Sequence, residues 1–95
     1  MNVLETFSLS GKVALITGGA GIVGQQIVRA LAEAGATTYV ASRNIESLND
    51  LRDSLAEDGL SITPLQYDQS DEASVLVLRD TILEQQGRID ILVNN

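Results

Sequence analysis

The chain has 95 residues, of which 44% are hydrophobic and 20% charged, so it forms one small domain or part of one, and neither two domains nor a disordered chain. Its formal net charge of −7 argues against binding to nucleic acid or to an anionic membrane surface, because both need a basic patch. Cysteine and histidine are absent, which excludes disulfides, thiol nucleophiles, Cys/His zinc sites and histidine bases.

Four short apolar or β-branched segments predict β-strands, at 12–17, 37–41, 61–67 and 89–93. The first is a continuous apolar run, which is typical of a strand buried on both faces of a parallel sheet. Pro64 lies within the third segment and favours a position near the sheet edge, since proline cannot donate a hydrogen bond to a neighbouring strand.

Apolar residues at helical spacing predict one helix between each pair of consecutive strands. The predicted N-caps are Asn44 for the second helix and Ser70 or Asp71 for the third. The three helices are expected to end near Gly35, Gly59 and Gly87. Strands that alternate with helices in this way predict an α/β fold, the N-terminal half of a Rossmann-type doubly wound parallel sheet, with four strands in the order 3-2-1-4 and three helices.

Charge is distributed unevenly along the chain. Residues 1–43 carry two acidic and three basic side chains, whereas residues 44–95 carry eleven acidic and three basic ones. We interpret the acidic residues of the second half as solvated helix faces. Between Lys12 and Ala32 there is no carboxylate, although this segment includes a strand, a glycine turn and most of a helix. The acid-free segment leaves room for an anionic ligand.

The glycine turn reads TGGAGIVG over residues 17–24, with Gly19, Gly21 and Gly24 at the spacing GxGxxG. Glycines at this spacing allow a sharp turn and a close approach of the backbone to a pyrophosphate, and the following helix presents free N–H groups and the positive end of its dipole. The alternative is a glycine turn that serves packing only. Strand, spacing and helix together favour dinucleotide binding, and the missing Gly-Lys-Ser/Thr ending excludes a P-loop.

The second predicted strand leads directly into Ser42 and Arg43, where many NAD-binding folds carry an acid for the ribose 2′-hydroxyl. A small hydroxyl followed by a guanidinium suits a 2′-phosphate, so this pair favours NADP(H) over NAD(H). The alternative is that Arg43 is an ordinary exposed arginine. Asp68, after the third strand, has a placement that suits a hydrogen bond from the adenine amino group, and equally suits a residue that only leads into a helix.

These motifs resemble the short-chain dehydrogenase/reductase family, from about Leu9 to Asn95, through the opening SGKVALITGG, the aspartate after the third strand and the closing DILVNN. The resemblance implies hydride transfer between a nicotinamide cofactor and a carbonyl or alcohol. It also implies a set of cofactor-binding residues, in which the turn contributes Thr17, Gly18, Gly19, Gly21, Ile22 and Gly24, the ribose end Ser42 and Arg43, the adenine end Asp68, and the last strand Asn94.

One residue departs from the family pattern. One-domain members read TGxxxGxG, with glycine where this chain has Ile22, and the spacing found here instead matches extended, epimerase-like members. The opening SGKVALITGG and the absence of an acid at Ser42 favour the one-domain branch. Within that branch, the opening and the segment VASRN are similar to reductases of sugar acids and polyols.

The tyrosine, lysine and serine that carry the family's chemistry lie beyond Asn95, and DILVNN stops inside the family's Asn-Asn-Ala-Gly motif. We therefore expect residues 1–95 to be a truncated NAD(P)-binding domain, inactive alone, with no catalytic and no metal-binding residue. For the parent enzyme we expect a cytoplasmic location, a small-molecule substrate and a homo-oligomer. Two alternatives are a non-catalytic nucleotide-binding module and a fragment of an extended-type sugar-nucleotide epimerase.

Overall fold

The computed structural model describes residues 8–18 and 21–95. The strands are β1 (Val13–Thr17), β2 (Thr37–Ser42), β3 (Thr63–Gln66) and β4 (Ile91–Asn94), and the helices are α1 (Ile22–Glu33), α2 (Ile45–Glu57) and α3 (Glu72–Gln86). The four strands form one parallel sheet in the order β3-β2-β1-β4. The α/β fold predicted from the sequence, half of a doubly wound sheet, is confirmed.

The helices cover both faces of the sheet. Side chains that alternate along β1 and β2 belong to two separate apolar clusters, because successive residues of a strand point to opposite faces. One cluster joins the sheet to α1 and α2 through residues such as Val28, Leu48 and Leu55. The other joins it to α3 through Leu78 and Ile82. Within the described chain, β1 is buried along its whole length, as its apolar sequence predicts.

The predicted helix ends are mostly confirmed. The Asn44 side chain accepts a hydrogen bond from the Ser47 amide and caps α2. Asp71, and not Ser70, caps α3 by accepting from the Ala73 amide. Gly87 ends α3 in the left-handed region, at a φ of 78°. No helix within the described segments is long and apolar enough to cross a membrane.

The two outer strands differ from their predicted bounds. The third was predicted at 61–67 and spans Thr63–Gln66 at one edge of the sheet, where Pro64 is tolerated. The fourth was predicted at 89–93 and spans Ile91–Asn94 at the other edge. Just before it, the Asp90 carboxylate accepts from the Val13 amide at 2.8 Å, and the Asp90 amide donates to the Val13 carbonyl at 2.8 Å.

Polar residues stand at the carboxyl ends of the strands, which lie together along one border of the sheet. We call this border the carboxyl edge, as distinct from the outer strands β3 and β4. The register pairs Thr17 with both Ala41 and Asn94, and Ser42 with Gln66. The loops that contain the glycine turn, Arg43 and Asp68 all leave the sheet at this edge. In open α/β sheets, ligands bind in the crevice outside the carboxyl ends of the strands.

Candidate functional site

The glycine turn leads from β1 into α1. Gly18 has a φ of 73°, a conformation that side chains with a Cβ rarely adopt, and Gly21 is the residue before the first turn of α1. Gly24 is buried within α1. Gly19 was also predicted to bind cofactor, and it lies outside the described residues.

The amino end of α1 lacks the side chains that usually neutralise the positive end of a helix dipole and bind its free N–H groups. Gly21 offers no side-chain cap, and the first turn of the helix contains no acidic residue. The first helical bond runs from the Gln25 amide to the Gly21 oxygen at 2.8 Å, so the amides of Ile22, Val23 and Gly24 precede the helical ladder. Ile22 and Val23 are 79% and 60% exposed. Such an end is suited to a phosphate group.

Thr17 and Asn94 lie side by side at the ends of β1 and β4. The buried Thr17 hydroxyl lies 3.0 Å from the Asn94 side-chain oxygen and 3.4 Å from the Val93 carbonyl. The Thr17 hydroxyl is thus engaged with β4, next to the glycine turn. Asn94 is exposed at the sheet edge.

Ser42 and Arg43 end β2 and begin the loop to α2. The Ser42 hydroxyl oxygen accepts from the Asn44 amide at 3.3 Å, and no hydrogen bond donated by this hydroxyl is found within the described chain. The Arg43 side chain is 76% exposed. Its ion pair, to the Asp68 carboxylate, has a length of 4.0 Å, whereas the described ion pairs of the other arginines measure 3.3 Å or less.

Asp68 is held by hydrogen bonds to Ser70 of its own loop and to Ser74 in the first turn of α3. Its carboxylate accepts from the Ser70 hydroxyl at 2.7 Å and from the Ser70 amide at 3.0 Å, and its amide donates to the Ser74 hydroxyl at 2.9 Å. The Ser70 hydroxyl is the main cause that lowers the pKa of Asp68, with smaller contributions from the Ser70 amide and from Arg43, against a small opposing effect of desolvation. The carboxylate is therefore charged and fixed in direction.

The structure brings Arg43 and Asp68 to one cavity of about 450 Å³, which Gln66, Tyr67 and Ser74 also line. Gln66 and Ser74 are not among the residues singled out in the sequence, and Ser70 is singled out there only as a candidate cap of the third helix. Gln66 ends β3, and its Nε2 atom donates to the Arg43 carbonyl at 3.1 Å. Its place at the carboxyl end of a strand was the one available signal.

A larger, apolar cleft of about 540 Å³ lies between α3 and β4. Thr17 and Asn94 line its end at the strand termini, and Leu15, Leu78 and Leu92 line its apolar part. Leu92 is 65% exposed because β4 is an edge strand. Among the described residues, no three carboxylates lie close enough together to hold a metal ion.

The comparisons with known proteins agree with this geometry. The family model described as short chain dehydrogenase matches residues 12–95. The chain is 39% identical, over 94% of its own length and 34% of the relative's, to the 3-oxoacyl-(acyl-carrier-protein) reductase of rhamnolipid biosynthesis from Pseudomonas aeruginosa.

Many solved structures share the fold, two of which are compared with this chain. One is a metagenomic short-chain oxidoreductase in complex with NADP, with a TM-score of 0.87 and 31% identity over 92% of this chain and 39% of that one. The other is 2-keto-3-deoxy-D-gluconate dehydrogenase from Streptococcus agalactiae, with a TM-score of 0.85 and 38% identity over 94% of this chain and 34% of that one. The chain therefore spans between a third and two fifths of the length of these proteins. With its acid-free glycine turn at the carboxyl edge of a 3-2-1-4 sheet and a family match over residues 12–95, the chain belongs to the short-chain dehydrogenase/reductase family of oxidoreductases.

Proposed function

We propose that this chain is the dinucleotide-binding part of an NAD(P)-dependent oxidoreductase, which transfers hydride between the nicotinamide ring and a carbonyl or alcohol substrate. The observation that carries the proposal is the amino end of α1, which has no side-chain cap, no acid in its first turn and a glycine turn before it. Aligned backbone N–H groups and the helix dipole stabilise a pyrophosphate at such a position.

In this proposal the cofactor lies along the carboxyl edge of the sheet. Its pyrophosphate binds at the turn that contains Thr17, Gly18, Gly19, Gly21, Ile22 and Gly24. Its adenosine ribose binds at Ser42 and Arg43, its adenine at Asp68, and Asn94 binds the adenosine side of the cofactor and joins the central sheet. The cavity shared by Arg43 and Asp68 supports the adenine assignment, because it joins the ends of β2 and β3.

We further propose that the site prefers NADP(H) to NAD(H). The Ser42 hydroxyl is oriented by the Asn44 amide with its own hydrogen uncommitted in the described chain, and the Arg43 guanidinium makes only a long contact to Asp68. A 2′-phosphate accepts hydrogen bonds from both groups and gains charge neutralisation from Arg43. A structural relative in complex with NADP supports this preference.

In the proposed reaction, the cofactor and the residues of this chain have different roles. The bound nicotinamide supplies or accepts the hydride. This chain's residues bind and orient the cofactor, and we assign none of them to acid or base catalysis. Tyr39 is buried with its hydroxyl bonded to Gln85 and Gln86, and Tyr67 follows β3 at the cavity that we assign to the adenine. Neither tyrosine has a lysine four residues further along, so we assign proton transfer to neither of them.

For the substrate we propose a sugar acid or polyol. The sequence similarity of the opening segment supports this choice, as does the name of the structural relative that acts on 2-keto-3-deoxy-D-gluconate. The name of the acyl-carrier-protein reductase points to acyl substrates instead. A cytoplasmic location, a homo-oligomer and a partial domain over residues 1–95 stay predictions from the sequence.

Calorimetric titration of the protein with NADPH and NADH tests the cofactor proposal. We expect NADPH to bind at least about tenfold more tightly, because two hydrogen bonds to a charged phosphate are added. Arg43→Ala should remove most of this preference. Arg52→Ala is the matched control, since Arg52 is an exposed arginine on α2 that pairs with Asp53. Tighter binding of NADH would overturn the roles of Ser42 and Arg43, and no binding of either dinucleotide to the folded protein would overturn the whole proposal.

A further inference from the structure

The loop that carries Arg43 is fixed to the neighbouring strand by a side chain. Gln66 pairs with Ser42 in the sheet register, and the Tyr67 amide donates to the Ser42 carbonyl at 3.1 Å as the last bond of the ladder. One residue further along, the Gln66 Nε2 atom donates to the Arg43 carbonyl at 3.1 Å. The Gln66 side chain thus extends the β2–β3 connection past the point where the sheet ends.

Little else within the described chain restrains Arg43. Its side chain is 76% exposed, and its contact to Asp68 is the longest ion pair described. On the Asn44 side, the backbone is fixed by the bond from the Asn44 amide to the Ser42 hydroxyl and by the capping of α2. The backbone at residue 43 fixes the point from which this side chain extends, and the side-chain amide of Gln66 binds that backbone directly.

We propose that Gln66 is a positioning residue for cofactor selectivity, which acts through the Arg43 carbonyl and favours the dinucleotide that carries a 2′-phosphate. The inference rests on the proposed NADP(H) preference and goes beyond it, because it assigns part of that preference to a residue on a different strand. A guanidinium that is free to move loses conformational entropy when it binds the phosphate, and anchoring its backbone lowers that cost.

A second role of Gln66 makes a different prediction. Gln66 also lines the cavity that holds Asp68, so a direct contact with the adenine ring is the competing role. Both NADPH and NADH carry this ring. A direct contact would therefore weaken both cofactors equally, whereas positioning of Arg43 weakens NADPH alone.

The test is the affinity ratio of NADPH to NADH in the whole protein, measured by calorimetry for Gln66→Met, Arg43→Ala and the double variant. Methionine keeps the length of the side chain and removes the donor. We expect Gln66→Met to lower the ratio about three- to tenfold, as for loss of one hydrogen bond, with unchanged NADH affinity. In the double variant the ratio should equal that of Arg43→Ala alone, because the two residues act as a unit.

Thr63→Val is the matched control, since Thr63 is exposed at the opposite end of the same edge strand. It should leave both affinities unchanged. Retained NADH affinity shows that Gln66→Met is folded, and Gln66→Ala provides a second variant without the donor. An unchanged ratio in both Gln66 variants, with a ratio that falls in Arg43→Ala, would overturn the inference while the proposed function stands. Equal weakening of both cofactors would assign Gln66 to adenine instead. If the unsubstituted protein does not prefer NADPH, both the proposed NADP(H) preference and the role of Gln66 are overturned.

Discussion

The backbone oxygen of Asn95 lies 2.6 Å from the point where a Cβ would stand on Gly18. The same two residues are joined by a bond from the Asn95 side-chain amide to the Gly18 carbonyl, at 3.1 Å. On its other side, the Gly18 amide donates to the Ala41 carbonyl of β2 at 2.9 Å. The start of the glycine turn is therefore enclosed between the chain after β4 and the end of β2, and only glycine fits there.

Gly18→Ala should destabilise the fold by about 2 kcal/mol or more, since alanine at a φ of 73° is strained and its Cβ must displace Asn95. Gly59→Ala is the matched control. Gly59 has a φ of 76° but nothing lies within 4 Å of its Cβ position, so its cost is the backbone strain alone, about 1 kcal/mol. Urea denaturation measures both free energies of unfolding. Equal losses in the two variants would show that the contact with Asn95 has no energetic weight.

The lowered pKa of Asp68 makes the stability of the fold depend on pH, and this lowering is predicted to depend on Ser70. Because its folded pKa is below the ordinary value of 3.8, Asp68 stabilises the fold above that value, and this contribution is lost as the pH falls through the folded pKa. Ser70→Ala removes the bond that lowers it most. We expect the pKa of Asp68 to rise toward 3.8 in this variant, as measured by NMR titration of the carboxyl carbon. Ser61→Ala, a substitution at an exposed serine outside this loop, should leave it unchanged.

The Tyr39 hydroxyl lies between two glutamines of α3, at 2.7 Å from Gln85 Oε1 and 3.0 Å from Gln86 Nε2. Tyr39→Phe should lower the free energy of unfolding by about 1 kcal/mol, because it removes these bonds from a residue that is 2% exposed. Tyr67→Phe is the control, as no bond of the Tyr67 hydroxyl is found in the described chain. Thermal unfolding of both variants checks the prediction, which a larger loss in Tyr67→Phe would contradict.

Local patterns in the sequence were sufficient to predict the strands, the helices and the strand order. An apolar run such as that of β1, a cap such as Asn44 and a left-handed glycine such as Gly87 are determined by neighbouring residues. The same holds for the acid-free turn, which is visible in the composition of one segment. For this reason, the location of the candidate site at the carboxyl ends of the strands is predicted together with the fold.

The polar contacts between distant residues were not predictable in this way. The bond from Gln66 to Arg43 spans 23 residues and that from Val13 to Asp90 spans 77, so both depend on strand register. The exposure of Ile22 and Val23 is a further feature that the helical spacing of apolar residues does not show. Both fit the apolar spacing of α1, but they lie in its first turn, where the helix leaves the sheet and presents its end to the ligand crevice.

An acid in that first turn should affect stability and binding in opposite directions. Val23→Asp places a carboxylate at an exposed position in the first turn of α1, where it interacts favourably with the helix dipole and should stabilise the fold by about 0.3–1 kcal/mol. The same charge repels a pyrophosphate, so dinucleotide affinity should fall at least about tenfold. Val23→Asn, of the same shape without the charge, separates this effect from the loss of an apolar surface. Thermal unfolding and calorimetric titration measure the two quantities, and an aspartate variant that binds NADPH as tightly as the asparagine variant would show that the phosphates do not lie at this helix end.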